Sequence, residues 1–283
     1  MRFVRRSYRT TARSILVAAS VLLATAAVAA DPPTADEIVR QMKIALEPPK
    51  PSVRTITLTF DDQGQKTTFG LVQARKRLAD GDHALTVLLE PDGARGIAYL
   101  TAEAAGGQAV EWLYVPYVQR TRKLVPAENN QSFMDTDFTY GDLGLLPVDT
   151  KNTLLGTDQT DGKKTYEIES TPSSSVKQWY YSRTVTWIDA ETLLPVRREF
   201  YSPANELFKT ESFGSVTRID GIPTPLEIKM TNVGTNTSTT MMVTSVTYDA
   251  NVPDSMFKPE TLRSIADSDF WKSKPAKAAA GAS

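Results

Sequence analysis

Val53-Arg54-Thr55-Ile56-Thr57-Leu58-Thr59-Phe60 reads with a period of two, Ile56, Leu58 and Phe60 alternating with Thr55, Thr57 and Thr59. Successive side chains of a strand point to opposite faces, so this run is a strand with one buried apolar face. The pattern then keeps returning along the chain. Asp62-Gln63-Gly64 turns it into a second strand over 66–77, and Asp80-Gly81 leads into Leu85, Val87 and Leu89. Asp92-Gly93 is a hairpin signal ahead of a strand over 96–102. Runs at 108–115 and 118–125 pair around Pro116-Tyr117. After an irregular stretch over 126–150, strands resume at 154–157, 164–171, 179–188, 196–201, 207–218, 225–233 and 239–248.

Short turns join nearly all of these runs and no helical crossover intervenes, so the pairing is expected to be antiparallel throughout. A twisted sheet of about eleven strands cannot stay flat, because beyond about ten it curls, closes or splits. The expected fold is mainly β: an incomplete antiparallel β-barrel, a single curled sheet with short helices covering its concave face. Too little helix is available to fill that concavity, which leaves a hollow. A filled sandwich or barrel satisfies the same periodicity.

One helix precedes the strands. Thr34-Ala35-Asp36-Glu37 has the form of a capping box, and Ile38, Met42, Ala45 and Leu46 recur at helical spacing until Pro48-Pro49 stops them. A helix of about three turns is marginal alone and must lie on the sheet.

Upstream, residues 1–30 carry Arg2, Arg5, Arg6, Arg9 and Arg13, then an apolar run from Ile15 to Val28 that ends in small residues. This is the pattern of a removed secretory signal. About fourteen apolar residues are too few to span a bilayer, which needs roughly twenty. The expected organisation is a signal peptide over 1–30, one domain over 31–271 and a disordered tail over 272–283. The signal holds five of the 32 basic side chains and none of the 33 acids, so the remainder is formally −6. The product is expected to be soluble after export, without a lipid anchor.

Composition removes several chemistries. With no cysteine there is no disulfide, thiolate cage or cysteine nucleophile, and one histidine, His83, cannot build a multi-histidine zinc site. Neither a nucleophile elbow, nor a phosphate loop, nor a zinc-protease helix occurs. Asp135, Asp137 and Asp142 are close together, but Thr139 and Tyr140 stand where a calcium loop needs an acid or amide and then glycine. Two of these aspartates are read as capping a helix turn, and His83, after Asp80-Gly81-Asp82, as a solvated turn residue. No metal, cofactor, catalytic group or nucleic-acid partner is expected. A carboxylate hydrolase survives only because 33 acids offer many pairs.

The informative stretch lies between Glu111 and Leu146. Trp112 and Tyr114 sit on a strand, and Phe133, Met134, Phe138 and Tyr140 follow in the irregular segment. Flat and polarisable side chains at this density suit an apolar ligand, although an ordinary core under a long loop has the same composition. With Ile38 and Met42 of the helix they form the candidate ligand-binding set.

Arg95-Gly96-Ile97-Ala98-Tyr99-Leu100, Trp112-Leu113-Tyr114-Val115-Pro116, the run SFMDTDFTYGDL from Ser132 to Leu143, Trp187 to Arg198 (WIDAETLLPVRR) and Tyr248 to Phe257 (YDANVPDSMF) share a further property. In this order they resemble the outer-membrane lipoprotein-sorting family of LolA-like periplasmic carriers, from Thr34 to about Phe257. The resemblance implies an incomplete barrel with helices across its mouth and an apolar cavity for acyl chains. It implies a carrier of lipid or lipoprotein working with a membrane transporter or receptor. The alternative is a non-catalytic scaffold of an envelope assembly. The helix over 34–46 and the segment over 133–143 are expected to form a movable cover.

Overall fold

The computed structural model describes residues 1, 33–103, 109–143, 149–174, 176 and 179–266. Beyond Met1, the expected signal peptide lies outside the described residues, as does the tail over 272–283. The sheet and its helices belong to a compact unit that begins at Pro33.

Helix α1 (Ala35–Leu46) opens on Thr34, whose Oγ1 accepts the N–H of Glu37 at 3.2 Å. Half of the expected capping box forms. The Glu37 carboxylate instead accepts from Arg40 at 2.7 and 2.9 Å and from Gln41 at 2.7 Å. Ile38 and Met42 are buried against Ile168 and Ile188, so the predicted apolar stripe is the docking face.

The strands are β1 (Ser52–Asp62), β2 (Gln65–Leu78), β3 (Gly81–Glu90), β4 (Ala98–Glu103), β5 (Ala109–Val115) and β6 (Arg120–Lys123). They continue with β7 (Thr150–Thr160), β8 (Lys163–Pro172), β9 (Arg183–Asp189), β10 (Pro195–Tyr201) and β11 (Leu207–Gly214). A short hairpin, β12 (Thr217–Ile219) and β13 (Ile222–Thr224), precedes β14 (Glu227–Asn232) and β15 (Thr237–Tyr248). Thirteen strands form one antiparallel sheet in the order β6-β5-β4-β3-β2-β1-β15-β14-β11-β10-β9-β8-β7, and β12 and β13 pair separately. The sheet is curled and not closed into a barrel. That is the expected fold class. The single run expected over 207–218 divides into β11 and β12.

The strand order explains what fills the curl. Strands β6 and β7 follow one another in the chain yet occupy opposite edges of the sheet. The segment between them must therefore cross from edge to edge, and it does so over the inner face. Phe133 (0% exposed) and Phe138 (2%) pack there with Ile56 and Leu58 of β1, Phe69 and Leu71 of β2, and Met230 of β14. The Asp137 carboxylate accepts from Thr237 and Thr239 of β15 at 2.6 and 2.7 Å. Within the same segment α2 (Tyr140–Leu143) forms a single turn. Asp142 Oδ2 accepts the N–H of Thr139 while Asp142 donates its own N–H to Thr139 Oγ1, the capping role read from sequence.

The outer face of the first arm is covered by the C-terminal segment. Met256, Phe257 and, from α3 (Leu262–Ala266), Leu262 and Ile265 pack on Val72, Leu85, Val87, Leu100 and Tyr114. This covering corrects one expectation. His83 is no solvated turn residue but lies in β3 at 4% exposure, its ring edge-on to Phe257 at 5.9 Å. The turn ends at Asp80, and a segment distant in sequence closes over the imidazole.

Candidate functional site

A cavity of about 340 Å³ lies between α1 and the inner face of the second arm. That is at the lower end of the roughly 300–1,000 Å³ typical of small-molecule sites. Its roof is α1, through Val39, Met42, Arg40 and Lys43, and its side is Gly141 and Asp142 of α2 with Trp179 and Tyr181. Its floor is the sheet: Asn152 of β7, Ser170 of β8, Thr184 and Thr186 of β9, Arg198 and Phe200 of β10, and Glu211 of β11. Strand alternation produces this floor, since Thr184 and Thr186, Arg198 and Phe200, and Lys209 and Glu211 each lie two apart.

The roof is held at both ends. Asn152 Nδ2 donates to Asp36 Oδ1 at 2.9 Å at the start of α1. At its other end Glu47 pairs with Arg75 of β2, and Arg54 of β1 donates to the Leu46 carbonyl at 3.4 Å. Helix α1 therefore bridges the two arms of the curled sheet.

The floor carries charge. Arg198 Nη1 donates to Glu211 Oε2 at 3.0 Å, and Arg198 Nε donates to Thr186 Oγ1 at 3.3 Å. Lys209 donates to the Asp137 carbonyl at 2.6 Å and to Asp142 Oδ2 at 3.5 Å. Tyr181 donates to Asp142 Oδ1 at 3.0 Å. Burial raises the Glu211 carboxyl to about 7; Asp142 pushes the same way, while Arg198 and Lys209 oppose it. Burial, then the Asp142 charge, drives the Tyr181 hydroxyl well above its ordinary value, so it stays a donor.

Of the eight residues singled out from sequence, Met42 lines this cavity. Ile38 lies one turn back, in the contact of α1 with Ile168 and Ile188. Phe133, Met134, Phe138 and Tyr140 belong to the cluster that fills the inner face, and Trp112 and Tyr114 point to the outer face under the C-terminal segment. The structure thus separates the set into four places. Sequence reasoning passed over Arg198, Glu211, Trp179 and Tyr181. The signal for the first two was present: Val196-Arg197-Arg198-Glu199-Phe200 and Lys209-Thr210-Glu211-Ser212-Phe213 place charges in register with buried apolar residues.

Among the described residues no group of three or more His, Cys, Asp or Glu side chains is placed to hold a metal, and no helix is long and apolar enough to cross a membrane.

A family profile described as that of an uncharacterized protein matches residues 80–264, well over half of the chain. The chain belongs to the family of that profile. Solved structures agree in fold. A domain designated outer membrane lipoprotein-sorting protein from Vibrio parahaemolyticus is 23% identical, covering 81% of this chain and 98% of its own with a TM-score of 0.75. A DUF1329 family protein from Desulfovibrio piger is 25% identical over 80% of this chain and 95% of its own, with a TM-score of 0.74. The LolA superfamily protein NE2245 from Nitrosomonas europaea is 19% identical over 80% and 98%, with a TM-score of 0.65. No curated protein is significantly similar in sequence. The curled open sheet with short helices is the fold that the sequence resemblance implied.

Proposed function

We propose that this protein carries the acyl chain of a lipid or lipoprotein through the periplasm towards the outer membrane, handing it to a membrane transporter or receptor. The observation that supports this is the cavity under α1, with Val39, Met42, Trp179 and Phe200 presenting apolar surface around it. Each buried methylene contributes about 0.8 kcal/mol, so a partly enclosed chain gains several kcal/mol without any catalytic group. A bilayer offers the same gain, so transfer needs a site that opens. The roof is a short helix held by polar contacts at its two ends and by Ile38 and Met42 packed on Ile168 and Ile188, and opening would break these contacts. In this reading residues 1–30 are the export signal, residues 31–271 the carrier domain, and the protein is no enzyme.

The test is to purify the protein from the envelope, extract it with organic solvent and analyse the extract by mass spectrometry. Lipid at close to one equivalent supports carriage, and a lipid-free extract with no uptake from vesicles refutes it. A scaffold role has one specific observation behind it. The open sheet ends in β6 and β7, and beside β6 Tyr117 is 96% exposed and Val118 60%. A strand edge with an exposed aromatic can accept a partner chain.

A further inference from the structure

We infer that the cavity takes a single-chain amphiphile with an oxyanion head, and that this head goes inward, to Arg198 on the sheet floor. The inference rests on the carrier reading and assigns the class and orientation of its guest.

The two walls of the cavity differ. Apolar surface comes from Val39, Met42 and Trp179 of the roof and side and from Phe200, whereas Thr184 and Arg198 give the floor polar groups. Asn152, Ser170 and Thr186 already bond within the protein, so a bare hydrocarbon against that floor would strip water chiefly from Thr184 and from Arg198 Nη2, which have no partner among the described residues, at about 1–3 kcal/mol for each unsatisfied group. A head that accepts hydrogen bonds removes that cost. Arg198 is suited to hold it. Its side chain is 9% exposed, its Nε and Nη1 are engaged by Thr186 and Glu211, and Nη2 makes no hydrogen bond among the described residues while the residue lines the cavity. Among the other charged residues of the lining, the roof cations Arg40 and Lys43 stand against Asp36 and Asp142, and Arg40 is already paired with Glu37 at 2.7 Å. Of these, Lys43 forms no ion pair among the described residues.

A second anion beside Arg198 would repel an ionised Glu211. The groups facing Glu211 are Arg198 of β10, Lys209 of β11, Asp142 of α2 and Tyr181, which donates to Asp142. Asp36, Arg40 and Lys43 of α1 also line the cavity. Burial already leaves the Glu211 carboxyl part-protonated near pH 7. Entry of the head therefore proceeds with Glu211 protonated, and Arg198 exchanges its carboxylate partner for the guest's. Affinity is expected to fall as pH rises through about 7.

Trp179 in the cavity wall provides a fluorescence signal for the test. Dodecanoate, dodecyl phosphate and dodecanol are titrated into the intact protein between pH 5.5 and 8.5. The expected result is at least tenfold tighter binding of an anionic chain than of the alcohol, with the two anions showing whether a carboxylate or a phosphate is preferred. Dodecanoate binding should weaken about tenfold or more towards the alkaline end, and Glu211→Gln should flatten that dependence. Because Arg198→Met leaves a buried carboxylate alone, the double variant Arg198→Met with Glu211→Met is the folding-safe comparison, checked by circular dichroism. It should bind dodecanol at least as well as the parent and lose the preference for anions. Equal binding of alcohol and acid, or an anion preference retained in the double variant, overturns the head-group assignment and leaves lipid carriage standing. No binding of any chain overturns both.

Discussion

Arg198 and Glu211 stand directly opposite one another on β10 and β11, joined by a 3.0 Å hydrogen bond on the inner face of the sheet. The row continues with Thr186 of β9 on one side and Met230 of β14 on the other. A charge pair in that row is costly to bury, because both ions lose water before they gain each other. Its position on a cavity floor links stability, proton uptake and ligand choice in one site.

Stability should fall between about pH 4.5 and 7. Glu211 has a raised carboxyl, so the folded state holds a proton that the unfolded chain releases above about 4.5. The contribution is full below that value, declines as pH rises and is gone above about 7. At about 1.4 kcal/mol per tenfold change in proton affinity, the loss is on the order of 3 kcal/mol. Urea unfolding across this range should show it, and Glu211→Gln should remove most of the slope. An unchanged slope in that variant would place the titrating group elsewhere.

Cutting one half of the pair should cost far more than cutting both. Arg198→Met strands Glu211 and is expected to lose about 3–5 kcal/mol at pH 8, while Arg198→Met with Glu211→Met should lie within about 1 kcal/mol of the parent or above it. A double-mutant cycle measures the difference. Additive losses would contradict a direct pair.

Phe138→Ala should destabilise by about 3–5 kcal/mol, because the ring is 2% exposed in the segment that fills the curl. Ligand affinity should change little, since Phe138 does not line the cavity. A mild stability loss with a large change in binding would move the site from under α1 to under this segment.

Holding α1 shut should block exchange. The chain has no cysteine, so Asp36→Cys with Asn152→Cys introduces a unique pair where the two side chains now hydrogen-bond at 2.9 Å. Bridged by a short bis-maleimide, the protein should take up a fluorescent lipid at least tenfold more slowly than the unbridged variant. Unchanged uptake would show that the guest enters by another route.

Much of this architecture was legible in the chain itself. The two-residue alternation beginning at Ile56 and the turn signals after it determined a long antiparallel sheet. The Ile38 and Met42 stripe determined a helix lying on it, and the motifs from Arg95 to Phe257 carried the resemblance that pointed to the fold. These are local properties: side-chain direction follows from backbone period, and turns from the residues that tolerate them. The aromatic run at Phe133–Tyr140 was legible as apolar, but not as filler rather than wall.

Only tertiary structure decided where the space remained. The segment between β6 and β7 had to cross the concave face because those strands ended on opposite edges, and no local pattern encodes which edge a strand joins. Hence Phe133 and Phe138 fill the curl, Trp112 and Tyr114 turn outward beneath Phe257, and the vacant volume lies over Arg198 and Glu211. Period two places each of these charges on a face. Cross-strand register, set by pairs far apart in the chain, makes them neighbours.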